Sequence, residues 1–110
     1  MDERERRLAQ NEALFREVNE RVNSLATDHS SAASYEYVCE CSNPDCTFQI
    51  PLGASEYEAV RANPRQFVVL PEHHVPEIEN VVTEADRYWI VRKIGEEGEF
   101  VEKLDPRSRR

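Results

Sequence analysis

The sequence predicts an α+β fold: a long N-terminal α-helix followed by a small β-rich domain with one short helix. Three observations lead there. Residues 1–26 contain neither proline nor glycine, so nothing interrupts a helix. After residue 34, short apolar runs alternate with turn residues, the pattern of strands. Between them lies Cys39-Glu-Cys41-Ser-Asn-Pro-Asp-Cys46, three thiols in eight residues, followed by His73-His74.

The helix comes first in the chain. Leu8, Phe15, Val18, Val22 and Leu25 fall at heptad spacing, with Asn11 in one seam position and Leu14 widening the stripe. Glu12 with Arg16 and Glu17 with Arg21 are acid-before-base pairs four apart, which add slight support. Fewer than four heptads do not sustain a free helix, so something should cover this stripe: the chain's own domain, a protein partner or a second copy in a homo-oligomer. Residues 28–34 lack any apolar period and read as a linker, with His29 remote from the other ligand types.

The thiol segment follows an expected strand through Tyr35 and Tyr37. Cys39 and Cys41, two apart, project to the same side of an extended chain. Ser42, Asn43, Pro44 and Asp45 favour a turn that returns Cys46 to them, and Thr47–Ile50 reads as the return strand. A disulfide framework fits poorly, since the count is odd and a C-x-C bridge closes a strained ring. Redox-active thiols and simple core packing remain alternatives. Three thiolates and one imidazole form a standard tetrahedral zinc set, so the expected metal ligands are Cys39, Cys41, Cys46 and His73, with His74 as second choice.

Further along, Ser55 and Glu58 have the form of a capping box opening a short helix over roughly residues 55–62, closed by Pro64. Phe67–Leu70 is a continuous apolar run, best read as a buried strand. Pro71 and Pro76 bracket the histidines in a loop of fixed direction. Ile78–Val82 reads as strand or helix, and Tyr88–Ile94 as a strand. A Gly95–Gly98 turn and a last strand over Phe100–Leu104 complete the domain. The organisation is thus helix 1–27, linker 28–34, zinc-binding β-rich domain 35–104 and basic tail 105–110.

The segments Asn11-Glu-Ala-Leu-Phe-Arg-Glu-Val-Asn-Glu-Arg21, Val38-Cys-Glu-Cys41, Asp45-Cys46, Glu56-Tyr-Glu-Ala-Val-Arg61, Pro64 with Phe67, and His73 followed by Pro76 resemble a family of small hypothetical proteins of high-GC Gram-positive bacteria. The likeness covers roughly residues 11–94. It implies a cysteine–histidine zinc module with His73 rather than His74 as the fourth ligand, and carries no activity with it. Family members place Pro-Gly-His before the later proline; Glu72 stands here in place of that glycine.

Charge narrows the function further. The chain carries −8 at neutral pH, concentrated in residues 28–104, where fifteen acids face six bases for a net −9. Nucleic-acid affinity rests largely on lysine and arginine releasing counterions, so this body argues against such a partner. The Arg107-Ser-Arg-Arg110 tail reads as a solvated end. No apolar run is long enough for a membrane span, and the charged first residues lack a secretion signal, which predicts a cytoplasmic protein with reduced thiols. Neither a His-Glu-x-x-His, a deaminase, a serine-nucleophile nor a phosphate-loop motif occurs. The expectation is a non-enzymatic zinc-binding interaction or regulatory module; the alternative is a thiol-based redox or metal sensor.

Overall fold

The computed structural model describes residues 1–28, 34–46 and 48–109. The expected linker falls almost wholly outside them, as do His29 and Thr47. Helix α1 spans Glu3–Asp28. Strands β1 (Tyr35–Val38) and β2 (Gln49–Leu52) form an antiparallel hairpin whose register pairs Val38 with Gln49 across the cysteine turn. After helix α2 (Ala54–Val60), strands β3 (Gln66–Val69), β4 (Glu79–Glu84) and β5 (Trp89–Lys93) make a second antiparallel sheet in the order β3-β5-β4. Helix α3 (Gly95–Lys103) and a 3-10 turn over Pro106–Arg109 complete the chain. The fold is α+β, as the sequence predicts. No helix among the described residues is long and apolar enough to cross a membrane.

The core joins both sheets and both short helices. Tyr37, Ile50 and Leu52 of the hairpin meet Tyr57 and Val60 of α2, Phe67 to Val69 of β3, Val91 of β5 and Val101 of α3. Tyr37 and Tyr57 stack at 4.7 Å. Cys39 and Cys41 belong to the same buried cluster, so the thiols sit at the edge of the core rather than on a detached loop.

The face that α1 turns inward is not its apolar seam. Ala9, Ala13 and Ala26 allow close approach, and between them Glu12, Arg16, Asn19 and Asn23 are buried. Each polar side chain has a partner, as burial demands. Arg16 donates to the carbonyls of Pro64 at 2.6 Å and Val101 at 2.7 Å, and its guanidinium lies over Phe67. Asn19 takes the place of a neighbouring strand. Its amide donates to the Val38 carbonyl and its oxygen accepts from the Val38 amide, both at 2.8 Å. Asn23 accepts from Tyr37 Oη and donates to Glu58. Of the expected seam, Leu8, Phe15 and Val22 are half-buried, whereas Val18 and Leu25 are exposed.

Several local expectations are corrected. Helix α2 is capped two residues earlier than Ser55: Gly53 is the N-cap, and Glu56 Oε1 accepts from its amide at 2.8 Å. Residues 79–84, expected as strand or helix, are strand, with Glu79 buried. Residues 95–104 form a helix rather than a turn and strand. Gly98 lies on its buried face, where a Cβ would come within 3.0 Å of the Lys93 carbonyl oxygen, so glycine here serves close packing. The tail is anchored: Arg107 pairs with Glu20 and Glu58, each at 2.6 Å, and Arg61 pairs with buried Asp105.

Candidate metal centre

The Cys39-Glu40-Cys41 segment is where the chain passes from one sheet to the other. The Cys39 amide donates to Phe48 O at 3.1 Å, extending the β1–β2 ladder. The next amide, of Glu40, points the opposite way and donates to Val68 O of β3 at 2.8 Å. An extended chain alternates its side chains, so Cys39 and Cys41 share one side while Glu40 enters the interior. There Glu40 Oε1 accepts from the Val68 amide, and Oε2 accepts from Tyr57 Oη and Asn19 Nδ2, all between 2.7 and 2.9 Å. Burial raises the Glu40 carboxyl above its usual range, and these donors oppose that shift.

Cys46 returns through a turn in which its amide donates to Asn43 O at 3.1 Å and Asn43 Oδ1 accepts from the Asp45 amide. Asn11 of α1 steadies the same turn, donating to Ser42 O at 3.0 Å. His73 arrives from the other side. Its amide donates to Leu70 O at 3.0 Å, closing a turn with Pro71 and Glu72 at the centre. Glu72 has φ 69, the left-handed conformation that the third position of a type II turn requires. For glutamate the conformation costs about 1–2 kcal/mol, and the surrounding turn must hold it.

These two turns bring Cys39, Cys41, Cys46 and His73 together. Their ligand atoms all lie within 4.8 Å of one another, and the four could hold a metal ion. His73 Nδ1 is 3.6 Å from Cys39 Sγ and 3.8 Å from Cys46 Sγ. The Leu70 amide donates to Cys39 Sγ at 3.2 Å, an interaction that favours a thiolate there. Shared protons already pull the Cys41 thiol down to about 5, chiefly through a hydrogen bond from Cys39, helped by His73 and the Asn43 amide against burial. The same sharing pushes Cys39 up, with burial adding to it, and burial pushes Cys46 up. Of the three, Cys41 is thus the thiol that gives up its proton most readily.

His74 does not join it. Its ring lies 5.2 Å from Trp89, and its Nδ1 is buried without a partner. Cys39 and Cys41 are buried and Cys46 is partly exposed, and a cleft of about 250 Å³ between the cysteine turn and the histidine loop has Cys41 and His73 in its lining. Neither Asp45 nor Glu77, both exposed, is part of the cluster, and Glu40 is turned away from it.

Sequence reading missed the residues that hold the ligands in place. Glu40, Asn19 and Tyr57 fix the C-x-C segment from beneath. The other support is a buried ion cluster: Lys93 Nζ contacts Glu12 of α1 and lies 2.8 Å from Glu79 Oε2. Glu79 Oε1 in turn accepts from the Val75 amide at 2.6 Å, tying down the histidine loop. The available signal was alternation, since a residue between two same-sided cysteines must face the core. Comparison with protein-family models, with curated proteins and with solved structures finds no match to the chain.

Proposed function

We propose that this chain is a small zinc-binding, non-enzymatic interaction or regulatory module, in which Cys39, Cys41, Cys46 and His73 hold Zn2+. The observation that carries the reading is the spacing of the donors. A tetrahedral zinc about 2.3 Å from sulfur and about 2.0–2.1 Å from nitrogen leaves S···N edges of about 3.6 Å. Two of the three S···N edges here, from Cys39 and Cys46, are 3.6 and 3.8 Å. Softness also favours zinc over oxygen-seeking cations, because three of four donors are sulfur. Four protein ligands fill a tetrahedron and leave no position for a reacting water, which supports a structural rather than a catalytic ion. The acidic body supports a protein partner over nucleic acid.

Protein purified without a metal-binding tag is expected to contain one zinc per chain by elemental analysis. His73→Ala should lose it, and His74→Ala should keep it. Folded, metal-free wild-type protein would overturn the proposal. A redox-responsive site is the second reading, favoured by the partial exposure of Cys46. Zinc released by mild peroxide and recovered on adding a thiol reductant supports that reading; zinc retained under the same treatment excludes it.

A further inference from the structure

The three thiols of the metal centre are not equivalent. Cys39 is sealed off. It lies in the buried core cluster, its Sγ accepts from the Leu70 amide at 3.2 Å, and it has no place in the wall of the neighbouring cleft. Cys41 is buried too, but it lines that cleft together with Ser42 and His73. Cys46 is the one thiol of the cluster that is partly exposed. The cleft measures about 250 Å³. A water occupies about 30 Å³, so a molecule as small as hydrogen peroxide has room beside the sulfurs.

The chain also limits which sulfurs can join. Cys39 and Cys41 are separated by one residue, and a bridge between them closes a strained ring. Cys41 and Cys46 are separated by four residues that already fold back, with the Cys46 amide donating to Asn43 O at 3.1 Å. Their sulfurs belong to a set that lies within 4.8 Å. A bridge from Cys39 to Cys46 would forfeit the Leu70 amide and draw a core side chain outward.

We infer that Cys41 and Cys46 are the redox couple of this site: hydrogen peroxide converts them to a disulfide with loss of the metal, and Cys39 stays reduced. The inference deepens the redox-responsive reading of the centre and rests on it. The exposed Cys46 thiolate attacks one peroxide oxygen. An S–O bond forms as the O–O bond breaks, which leaves a sulfenic acid on Cys46 and releases hydroxide. The Cys41 thiolate then attacks the Cys46 sulfur, the S–S bond forms, and a second hydroxide leaves. Two thiolates have lost two electrons, one peroxide has gained them, and the two hydroxides take protons from the buffer to become water. Zn2+ keeps its charge throughout. With only Cys39 and His73 left to hold it, the ion passes to solvent. A dithiol reductant reverses the change by thiol–disulfide exchange and restores the ligand set.

The test uses the zinc-loaded full chain, treated with hydrogen peroxide in the presence of a chromogenic zinc indicator. Thiols that survive are alkylated with one reagent; thiols recovered by a dithiol are alkylated with a second. Fragmentation in the mass spectrometer assigns each label to its cysteine. Loss of one zinc and two thiols per peroxide consumed is expected, with the first label on Cys39 and the second on Cys41 and Cys46. Zinc should rebind after reduction. The second label on Cys39, a disulfide between two chains, or thiols that no reductant recovers would each overturn the inference. The first two of these outcomes leave the redox-responsive reading standing, because zinc is still released and recovered. Zinc retained with all three thiols intact overturns both.

Discussion

Cys41→Ser is expected to abolish the cooperative melting transition of the zinc-loaded protein. Serine removes one thiolate, and the three remaining donors match the ion poorly. Structural zinc contributes roughly 10–16 kcal/mol of apparent binding energy in isolated finger peptides, whereas a whole small domain is stable by about 5–15 kcal/mol. The two are of similar size, so losing most of the first leaves little of the second. The consequence spreads because the site is spliced into both sheets: Cys39 continues the β1–β2 ladder, Glu40 pairs with β3, and Leu70 beyond β3 donates to Cys39 Sγ. Helix α1 should lose order as well. Its buried face carries Glu12, Arg16, Asn19 and Asn23, whose partners belong to the remainder of the fold. An undocked helix of this length is marginal in water. Circular dichroism melts of Cys41→Ser and of wild type after a strong chelator should therefore agree with each other, both lacking the transition that untreated wild type shows. An unchanged melting temperature after confirmed zinc removal would sink the structural role of the metal.

The chemistry of the site was more legible in the sequence than its supports. Thiols crowded into a polar, proline-containing turn have few uses, and same-side projection of Cys39 and Cys41 follows from the pitch of an extended chain alone. The proline-bracketed histidine was the natural complement. What hydrophobic periodicity could not reveal was the orientation of α1. Burial there follows the available partners, not apolarity: Asn19 is buried because Val38 and Glu40 present groups that match its amide. The glycines misled for a related reason. Gly95 and Gly98 resemble a turn in one dimension, but Gly98 is required by the approach of α3 to the Lys93 carbonyl, a tertiary fact. Arg107 read as solvated tail because its partners, Glu20 and Glu58, are far away in sequence.

The second large effect is expected at the buried ion cluster. Lys93 is enclosed between Glu12 and Glu79, and all three side chains are almost fully buried. Lys93→Met leaves two carboxyls without a cation, a change that costs about 3–5 kcal/mol where one partner of a buried pair is removed. It should also weaken zinc binding, because Glu79 anchors the Val75 amide in the histidine loop. Glu12→Gln should behave in the opposite way. Glu12 is held well above the ordinary carboxyl range, first by burial and then by Glu79, with Lys93 opposing both. A carboxyl whose folded value exceeds its unfolded one contributes stability below the unfolded value, and loses it as pH rises through the folded value. Wild-type stability should thus carry a component that falls with rising pH, and Glu12→Gln should remove it while leaving Lys93 paired with Glu79 alone. Urea unfolding of the three proteins from about pH 6 to about pH 9, at fixed zinc, tests this by slope as well as by size. Lys93→Met should be the least stable throughout, with a deficit that widens as pH rises and Glu12, left without its cation, ionises. Glu12→Gln should gain on wild type over the same range. A pH-independent deficit in Lys93→Met, together with an unchanged slope in Glu12→Gln, would show that the cluster is held by packing rather than by charge.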